Sequence, residues 1–557
     1  MSKMRVGLII DDCPQSKFIW DFLKKNKNAN FYSIELLIVQ KTFRTNRSGL
    51  LNKVRNYINR RGLKKLFAAA SFSLLESIEK IIVKRNPKFK DFYRKYNIDS
   101  SGIEQLKVTP KISKSGLVYR YSENDLKEIK NRNLDVLIRG GNGILRGGIL
   151  DICKFGILSF HHGNNNVNRG GPAGFWEVYN REASTGFIIQ QLKNELDGGD
   201  VVFKGDITTT FVYSLNVARL YSKANLFLSH LLEKVGRDNK LPEIYPKTPY
   251  SYPLYSTPSI KVQLKYIFNT FLHVGNKVIR KILQKSYRWG VAYQFVDDWK
   301  SAVLWKSKVI KNPPNRFLAD PFIINRENKH VCFVEDYNYY EKKGRITAFK
   351  ITKEGYEEIG VALEEKFHLS YPYLFEANGE LFMCPETNES KDIRIYKCNQ
   401  FPLKWSLHKI IMKDVSACDS NIFYHDNKWW LMTNIDSSNI GEHSSELHIF
   451  YSDHFDSDNW KSHPKNPVIF NSRKARNGGF LKNKNNIYRP YQIQGWDLYG
   501  ESMGVAKIKI LTTEDYQENE EFLISPNFFT NIKGVHSYNF NDGLLVFDFV
   551  KIDKHKR

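Results

Sequence analysis

Through the first 235 or so positions, short apolar runs alternate with stretches of helical period. MRVGLII (4–10), FYSIELLIVQ (31–40), LDVLIRGG (134–141) and GILSFHH (156–162) have the length and β-branched content of strands buried on both faces. ENDLKEIKNRN, ahead of the third run, and residues 212–236 repeat their apolar positions every three or four residues and predict helices. Buried strands separated by helices predict an α/β unit around a parallel sheet. Ligands of such sheets collect beyond the C-terminal strand ends, which here read GGNG and HHGNNN.

Residues 51–95 break the pattern. They are rich in Lys and Arg, and Leu66, Phe67, Leu74, Leu75, Ile78 and Ile82 recur at helical spacing. This predicts an inserted helical hairpin packed on the domain; the alternative is a basic amphipathic surface facing an anionic membrane. LPEIYPKTPYSYPLYSTP (241–258) cannot hold regular helix and predicts a domain boundary. Residues 260–285 predict a basic helix with Val262, Leu264, Ile267, Phe268, Phe271, Leu272, Ile279 and Ile282 near one face, expected to pack on the next domain.

From about residue 287 the period changes. Runs such as HVCFVED, YLFEANGELFMCPET, SNIFYHDNKWWLMTN and NDGLLVFDFV alternate with Asn-, Asp- and Gly-containing turns. A series of hairpins without a long helix predicts a sandwich, barrel or propeller. Asp320, Tyr371, Asp419, Arg489 and His536 recur roughly every 50 residues, the length of one four-stranded propeller blade. A wider interval before Arg489 is filled by the polar stretch 452–478. Five blades are predicted.

Composition changes this picture little. In 557 residues, 41% hydrophobic and 26% charged content describes a folded chain and excludes a disordered or fibrous one. No run reaches the roughly 18–20 apolar residues of a membrane span. The N-terminus, MSKMRVGLIIDD, reads as a first strand and not as a leader. Six cysteines without a CxxC pair predict a reducing, cytoplasmic setting and no metal site. The net charge of +25 fits either attraction to polyanions or plainly solvated lysines. Aromatic content of 14% supplies flat faces for sugars as well as all-β cores.

Two places carry candidate chemistry. In SFHHGNNNVNRGGPAGFWEVYNREASTGFIIQQLKNELDGGDVV (159–202), two histidines stand at a strand end and Asp197 follows in a DGGD turn. A histidine with a distant carboxylate suits general acid/base work, although a plain hydrogen-bonding role is equally open. In the C-terminal half, Asp320, Glu335, Glu386 and Asp419 open strands and would converge on a propeller funnel. Two or three carboxylates there suit glycosidic bond cleavage; capping of turns is the alternative.

The first stretch resembles the formyltransferase family. His161 matches its histidine, Arg169-Gly170-Gly171-Pro172 its RG-x-x-P element, Thr185-Gly186 its TG strand, and Asp197-Gly198-Gly199 its D-x-G turn. The resemblance covers roughly residues 1–235, outside the basic insertion. It implies formyl transfer from N10-formyltetrahydrofolate to an amine, with catalytic roles for His161, Asp197 and Ser159. Substrate would be held by His162, Asn164, Arg169, Gly170 and Gly171, and cofactor by Gly140, Gly141, Asn142 and Gly143. Ser159 departs from the family, which has an oxyanion-binding Asn there. The second half resembles the five-bladed propeller of glycosyl hydrolase families 43 and 32, and more closely the N-terminal propeller of plant glucosamine inositolphosphorylceramide transferase. FLADPF, FVED, YPYLFE, CPET, CDSNIF, WWLMTN, YRPYQ, YGESMGVAKI and GVHSYN carry it. The resemblance implies a catalytic-base role for Asp320, an acid role for Glu386 and a modulating role for Asp419, with Arg489, Gln492 and His536 on a sugar- or phosphate-binding rim.

The expected protein is therefore multidomain: an α/β Rossmann-like formyltransferase domain (1–236, basic insertion about 45–110), a linker and basic helix (237–286), and an all-β five-bladed propeller (287–557). The expected function is formylation of a nucleotide- or lipid-linked amino sugar in surface-polysaccharide assembly, with a glycan-binding propeller. The alternatives are a glycosidase or transglycosidase propeller beside a binding module, and a non-enzymatic glycan-binding scaffold at a membrane face. No nucleic acid partner is expected, since a tRNA-gripping C-terminal domain is not recognisable.

Overall fold

A computed structural model describes residues 2–41, 62–194, 199–483 and 486–554. The chain divides into two compact units, Met1–Thr270 and Phe271–Arg557. The division falls beyond the Pro/Tyr-rich stretch, which therefore belongs to the first unit.

The first unit is built on a seven-stranded sheet. Its strands are β1 (Met4–Asp11), β2 (Tyr32–Gln40), β3 (Glu104–Val108), β4 (Val136–Arg139), β5 (Ile157–His161), β6 (Ser184–Gln191) and β7 (Asp200–Thr208), in the order β7-β6-β5-β4-β1-β2-β3. The β5-β4-β1-β2-β3 portion is parallel; β6 and β7 add antiparallel. Both faces are covered. Val6, Leu8 and Ile10 of β1 pack with Leu228, Leu231, Leu232 and Val235, whereas Ile9 packs with Leu137, Ile157 and Tyr119. Burial of both faces explains why these strands read as unbroken apolar runs.

The helices are α1 (Lys17–Lys25), α2 (Leu63–Arg85), α3 (Glu123–Lys130), α4 (Phe175–Asn180), α5 (Tyr213–Asp238) and α6 (Ile260–Ile282). α3 starts on a reciprocal capping box between Ser122 and Asp125, which satisfies two amide donors that a helix start leaves open. α2 supplies the helix expected in the basic insertion; residues 42–61 of that expected hairpin lie outside the described residues. α2 buries Phe72, Leu75, Glu79 and Val83 and leaves Phe67, Leu74, Ile78 and Ile82 exposed. The sequence pattern thus found a real stripe, most of which faces outward.

The second unit consists of five antiparallel sheets in chain order. Four are consecutive meanders, opening at Arg316–Arg326, Ser370–Ala377, Ala417–His425 and Leu481–Asn483. The remaining sheet joins the ends of the unit, since Lys285–Phe295 pairs along its whole length with Leu544–Lys554. Three opening strands carry the same irregularity: a bulge at Asp320, Tyr371 and Asp419, each with positive φ (47°, 46° and 49°). A bulge re-aims a side chain out of the ladder. Hydrogen bonds tie each sheet to the next: Tyr371 N to Asp320 Oδ2 (3.3 Å), Tyr371 Oη to Asn421 (3.0 Å), Asn421 Nδ2 to Gly479 O (3.2 Å), Phe480 N to Asn539 (3.0 Å), and Asn539 Nδ2 to Pro321 O (2.9 Å). The series returns to the sheet where it began.

Candidate functional site

The first unit gathers its polar groups beyond the ends of β1, β4 and β5. Ser159 is buried on β5, and its Oγ accepts a 3.3 Å bond from Arg139 Nη1 at the end of β4. Arg139 Nη2 donates to Gly143 O at 2.5 Å, while its Nε is buried without a partner. His161 ends β5, and its Nε2 lies 2.7 Å from Asn168 O. A carbonyl only accepts, so Nε2 carries the proton and Nδ1 is the basic nitrogen. The expected orienting carboxylate, Asp197, lies outside the described residues; in the described structure the Asn168 carbonyl holds the imidazole.

His162 points elsewhere. Its ring stacks on Tyr221 at 3.7 Å and meets Phe18 edge-on, and Nε2 is buried with no partner. Burial, with His161 beside it, pushes its pKa down to about 3, so it is a neutral imidazole. Phe18 and Tyr221 also line a cavity of about 200 Å³ with Phe92, Tyr93, Arg94 and Lys95.

The Gly140–Gly143 loop is pinned by Asp11, whose Oδ2 accepts from Asn142 N (3.0 Å) and Asn142 Nδ2 (2.5 Å). Gly143 has φ of +87°, and a Cβ there would sit 2.5 Å from the Tyr119 ring, so only glycine fits. The predicted substrate loop is occupied by protein. Asn164 Oδ1 accepts from Asn166 N, and the Asn164 carbonyl from Asn168 N. Arg169 bonds Asn165 O and lies 4.7 Å from the Tyr250 ring centre, and Gly171 N donates to Tyr255 O. Gly170 is so close to Tyr255 O that an added Cβ would lie 2.0 Å from it. The stretch expected to be a linker at a domain boundary is thus a strap across Arg169–Gly171. Arg169, Gly170 and Gly171, expected to hold substrate, here hold the chain's own strap.

In the second unit the bulged carboxylates converge. Asp419 pairs with Arg476 (2.7 Å), which also reaches Glu386 (3.6 Å), and Gln492 donates to Asp419 at 3.1 Å. Asp320 lies 3.5 Å from His536 Nε2, and His536 Nδ1 lies 2.5 Å from Asp548. His536 stacks on Trp289 at 3.7 Å, and Arg476 covers the Tyr499 ring at 4.9 Å. Burial raises Asp320 to about 7, though His536 and Arg476 pull down while Asp548 and Asp419 push up. Burial and Asp419 raise Glu386 to about 8, against the pull of Arg476. Burial also holds Glu335 well above the usual carboxylate range. For His536 burial opposes the charge, but Asp548 and Asp320 reverse this and the net direction is upward. Carboxyl groups with raised pKa thus stand beside the Asp419–Arg476 ion pair, an arrangement compatible with acid/base chemistry.

Arg489 is not part of this set. It is buried in a fork on Glu518 (2.8 and 2.6 Å) and caps Lys474 O, a structural pair between strands of one sheet. The stretch that joins the inter-sheet series there is Asn477–Gly479. Sequence reading missed Arg476, Asp548, Trp289 and Tyr499. It also missed Arg139 and Asp11, whose signal was an ionisable residue closing an apolar parallel strand. Among the described residues one group, Asp320, His536 and Asp548, brings potential metal-ligand atoms within 4.8 Å of one another. Asp548 is already spent there on the amides of His536, Ser537 and Asp320.

Comparison with known proteins gives matches of two kinds. Residues 295–543 match the family described as glucosamine inositolphosphorylceramide transferase 1, N-terminal. The Arabidopsis thaliana glucosamine inositolphosphorylceramide transferase 1 is 36% identical over 232 residues, 41% of this chain and 29% of the plant protein. The Oryza sativa subsp. japonica protein of that name is 34% identical over 210 residues, 37% and 28% of the respective chains. This chain therefore spans less than a third of these relatives. A methionyl-tRNA formyltransferase of Ureaplasma urealyticum is 28% identical over 118 residues, 20% of this chain and 38% of that enzyme. Among solved structures, a glycinamide ribonucleotide transformylase from Symbiobacterium toebii covers 43% of this chain and 91% of its own at 12% identity and a TM-score of 0.28. A GH43_1 enzyme from Xanthomonas citri covers 44% and 89% at 8% identity and a TM-score of 0.32. Likenesses this weak fix neither fold nor function.

Proposed function

We propose that the chain is a two-module enzyme that formylates the amine of an amino sugar carried on a nucleotide or lipid. In this reading the second unit is a five-bladed propeller whose acidic centre binds the glycan. The observation that carries it is the pairing of a tautomer-fixed base with an unspent donor. His161 presents Nδ1 as a base, while Arg139 Nε is buried without a partner at the end of the neighbouring strand β4. Unspent buried polar atoms suit a polar ligand, because leaving them empty costs about 1–3 kcal/mol each. N10-formyltetrahydrofolate fits that need and would supply the formyl group. The Gly140–Gly143 loop and Arg139 would hold it.

His161 would take the proton that the attacking amine loses as the new carbon–nitrogen bond forms and hand it to the folate nitrogen that departs as its bond to the formyl carbon breaks. Arg139, whose Nη1 lies 3.3 Å from Ser159 Oγ, would supply positive charge to the carbonyl oxygen as it gains negative charge, the task for which Ser159 alone is short. The family match over residues 295–543 supports carbohydrate recognition by the second unit, since the relatives' name joins glucosamine to inositolphosphorylceramide. The test mixes purified full-length protein, N10-formyltetrahydrofolate and a panel of nucleotide-linked amino sugars, reading tetrahydrofolate release. Release that His161→Ala lowers by about 10²–10⁴-fold is expected; no release with any acceptor overturns the reading.

A second reading makes the second unit a glycosidase or transglycosidase, on the strength of the raised Asp320 and Glu386 beside Asp419. Asp320→Asn would then abolish glycan turnover while His161→Ala leaves it intact.

A further inference from the structure

α6 (Ile260–Ile282) carries Lys261, Lys265, Lys277, Arg280 and Lys281 and no acidic residue. Its buried residues are Gln263 and Tyr266, and Tyr266 Oη donates to Glu79 at 2.5 Å while Gln263 Nε2 donates to Ala68 O at 2.8 Å. At about 100° per residue, Leu264, Phe268, Phe271, Val278 and Ile282 form one stripe on the side opposite Tyr266. All five are exposed, Phe271 and Ile282 by 73% each. α2, which α6 touches at Ala68, repeats the arrangement. It buries Phe72 and Val83 and exposes Leu63, Phe67, Leu74, Ile78 and Ile81 on the opposite side. Among the described residues no helix is long and apolar enough to cross a membrane.

We propose that these two stripes dock on the surface of a bilayer rich in anionic lipid, with the helices lying in its plane. Charge complementarity selects this occupant. A helix with five cations and no anion, with large aliphatic and aromatic side chains outward, matches an interface of acyl chains beneath negative headgroups. A second copy of the chain would bring like-charged helices together, in a protein of net charge +25. Lysines beside the stripe extend aliphatic stems over the apolar layer and keep their ammonium groups among the phosphates. The proposal is independent of the acyl-transfer reading.

Co-sedimentation of the full chain with phosphatidylcholine vesicles, with and without about 30% phosphatidylglycerol, tests it. Binding to the anionic vesicles at least ten-fold tighter than to the neutral ones is expected. The triple variant Leu264→Asn, Phe268→Asn, Phe271→Asn, all exposed, should lose that binding at an unchanged melting temperature. Lys261→Gln, Lys265→Gln, Lys281→Gln, which alters only exposed charges, should weaken anionic binding alone and guards against misfolding of the first variant. Equal or absent binding to the two vesicle types, binding untouched by either variant, or a dimer that the apolar variant dissociates would each overturn the proposal.

Discussion

The two polar centres solve opposite problems. The strand ends of the first unit hold a donor without an acceptor: Arg139 Nε is buried and unbonded, and the described carboxylate nearby, Asp11, is spent on the Asn142 loop. The second unit holds acceptors in excess. Asp320, Glu335, Glu386, Asp419 and Asp548 are compensated mainly by Arg476 and His536, and burial, helped by the neighbouring carboxylates, raises the pKa of Asp320, Glu335 and Glu386. On the proposed function the spare donor would serve a ligand oxygen that gains charge, and the raised carboxyl groups would serve a hydroxyl-rich ligand.

Removing one arginine from each centre tests the contrast most strongly. Arg476→Met strands Asp419 and Glu386 and should cost the second unit about 3–5 kcal/mol in a denaturant titration. Arg139→Met removes a cation bonded to Ser159 and a carbonyl, so its stability cost should stay near 1 kcal/mol per bond lost. Its main effect should fall on formyl transfer, about 10²–10³-fold in kcat. Equal destabilisation by the two variants would erase the distinction.

The smallest expected effect is a pH slope. Asp320 and Glu386 titrate near 7 and 8 in the folded chain, above the usual carboxylate range, so the folded state holds extra protons between about pH 4 and pH 8. Their contribution is complete at the acid end and is lost as pH rises through that window. The melting temperature of the second unit should fall by a few degrees from about pH 5 to pH 8.5. Asp320→Asn with Glu386→Gln should flatten that slope; an unchanged slope would mean that other groups carry it.

Strands buried on both faces left continuous apolar runs, so the α/β sheet was legible in the sequence. The repeat of Asp320, Tyr371 and Asp419 was legible because each stands at the same bulge. Arg489 misled because a conspicuous charge stands close to one repeat length before His536, whereas the stretch that joins the series, Asn477–Gly479, carries no charge. Arg476 was lost among 84 lysines and arginines. Its partners come from two other sheets, and no local pattern encodes that meeting. On α2 and α6 the period gave the stripe but not its direction, since an apolar face turned to solvent reads like one turned to the core.

The pairing of Lys285–Phe295 with Leu544–Lys554 also sets a timetable for biosynthesis. The opening strand must wait, one edge unsatisfied, while some 250 further residues leave the ribosome. A nascent chain halted short of Leu544 would keep that edge bare, and chaperones would have reason to guard it.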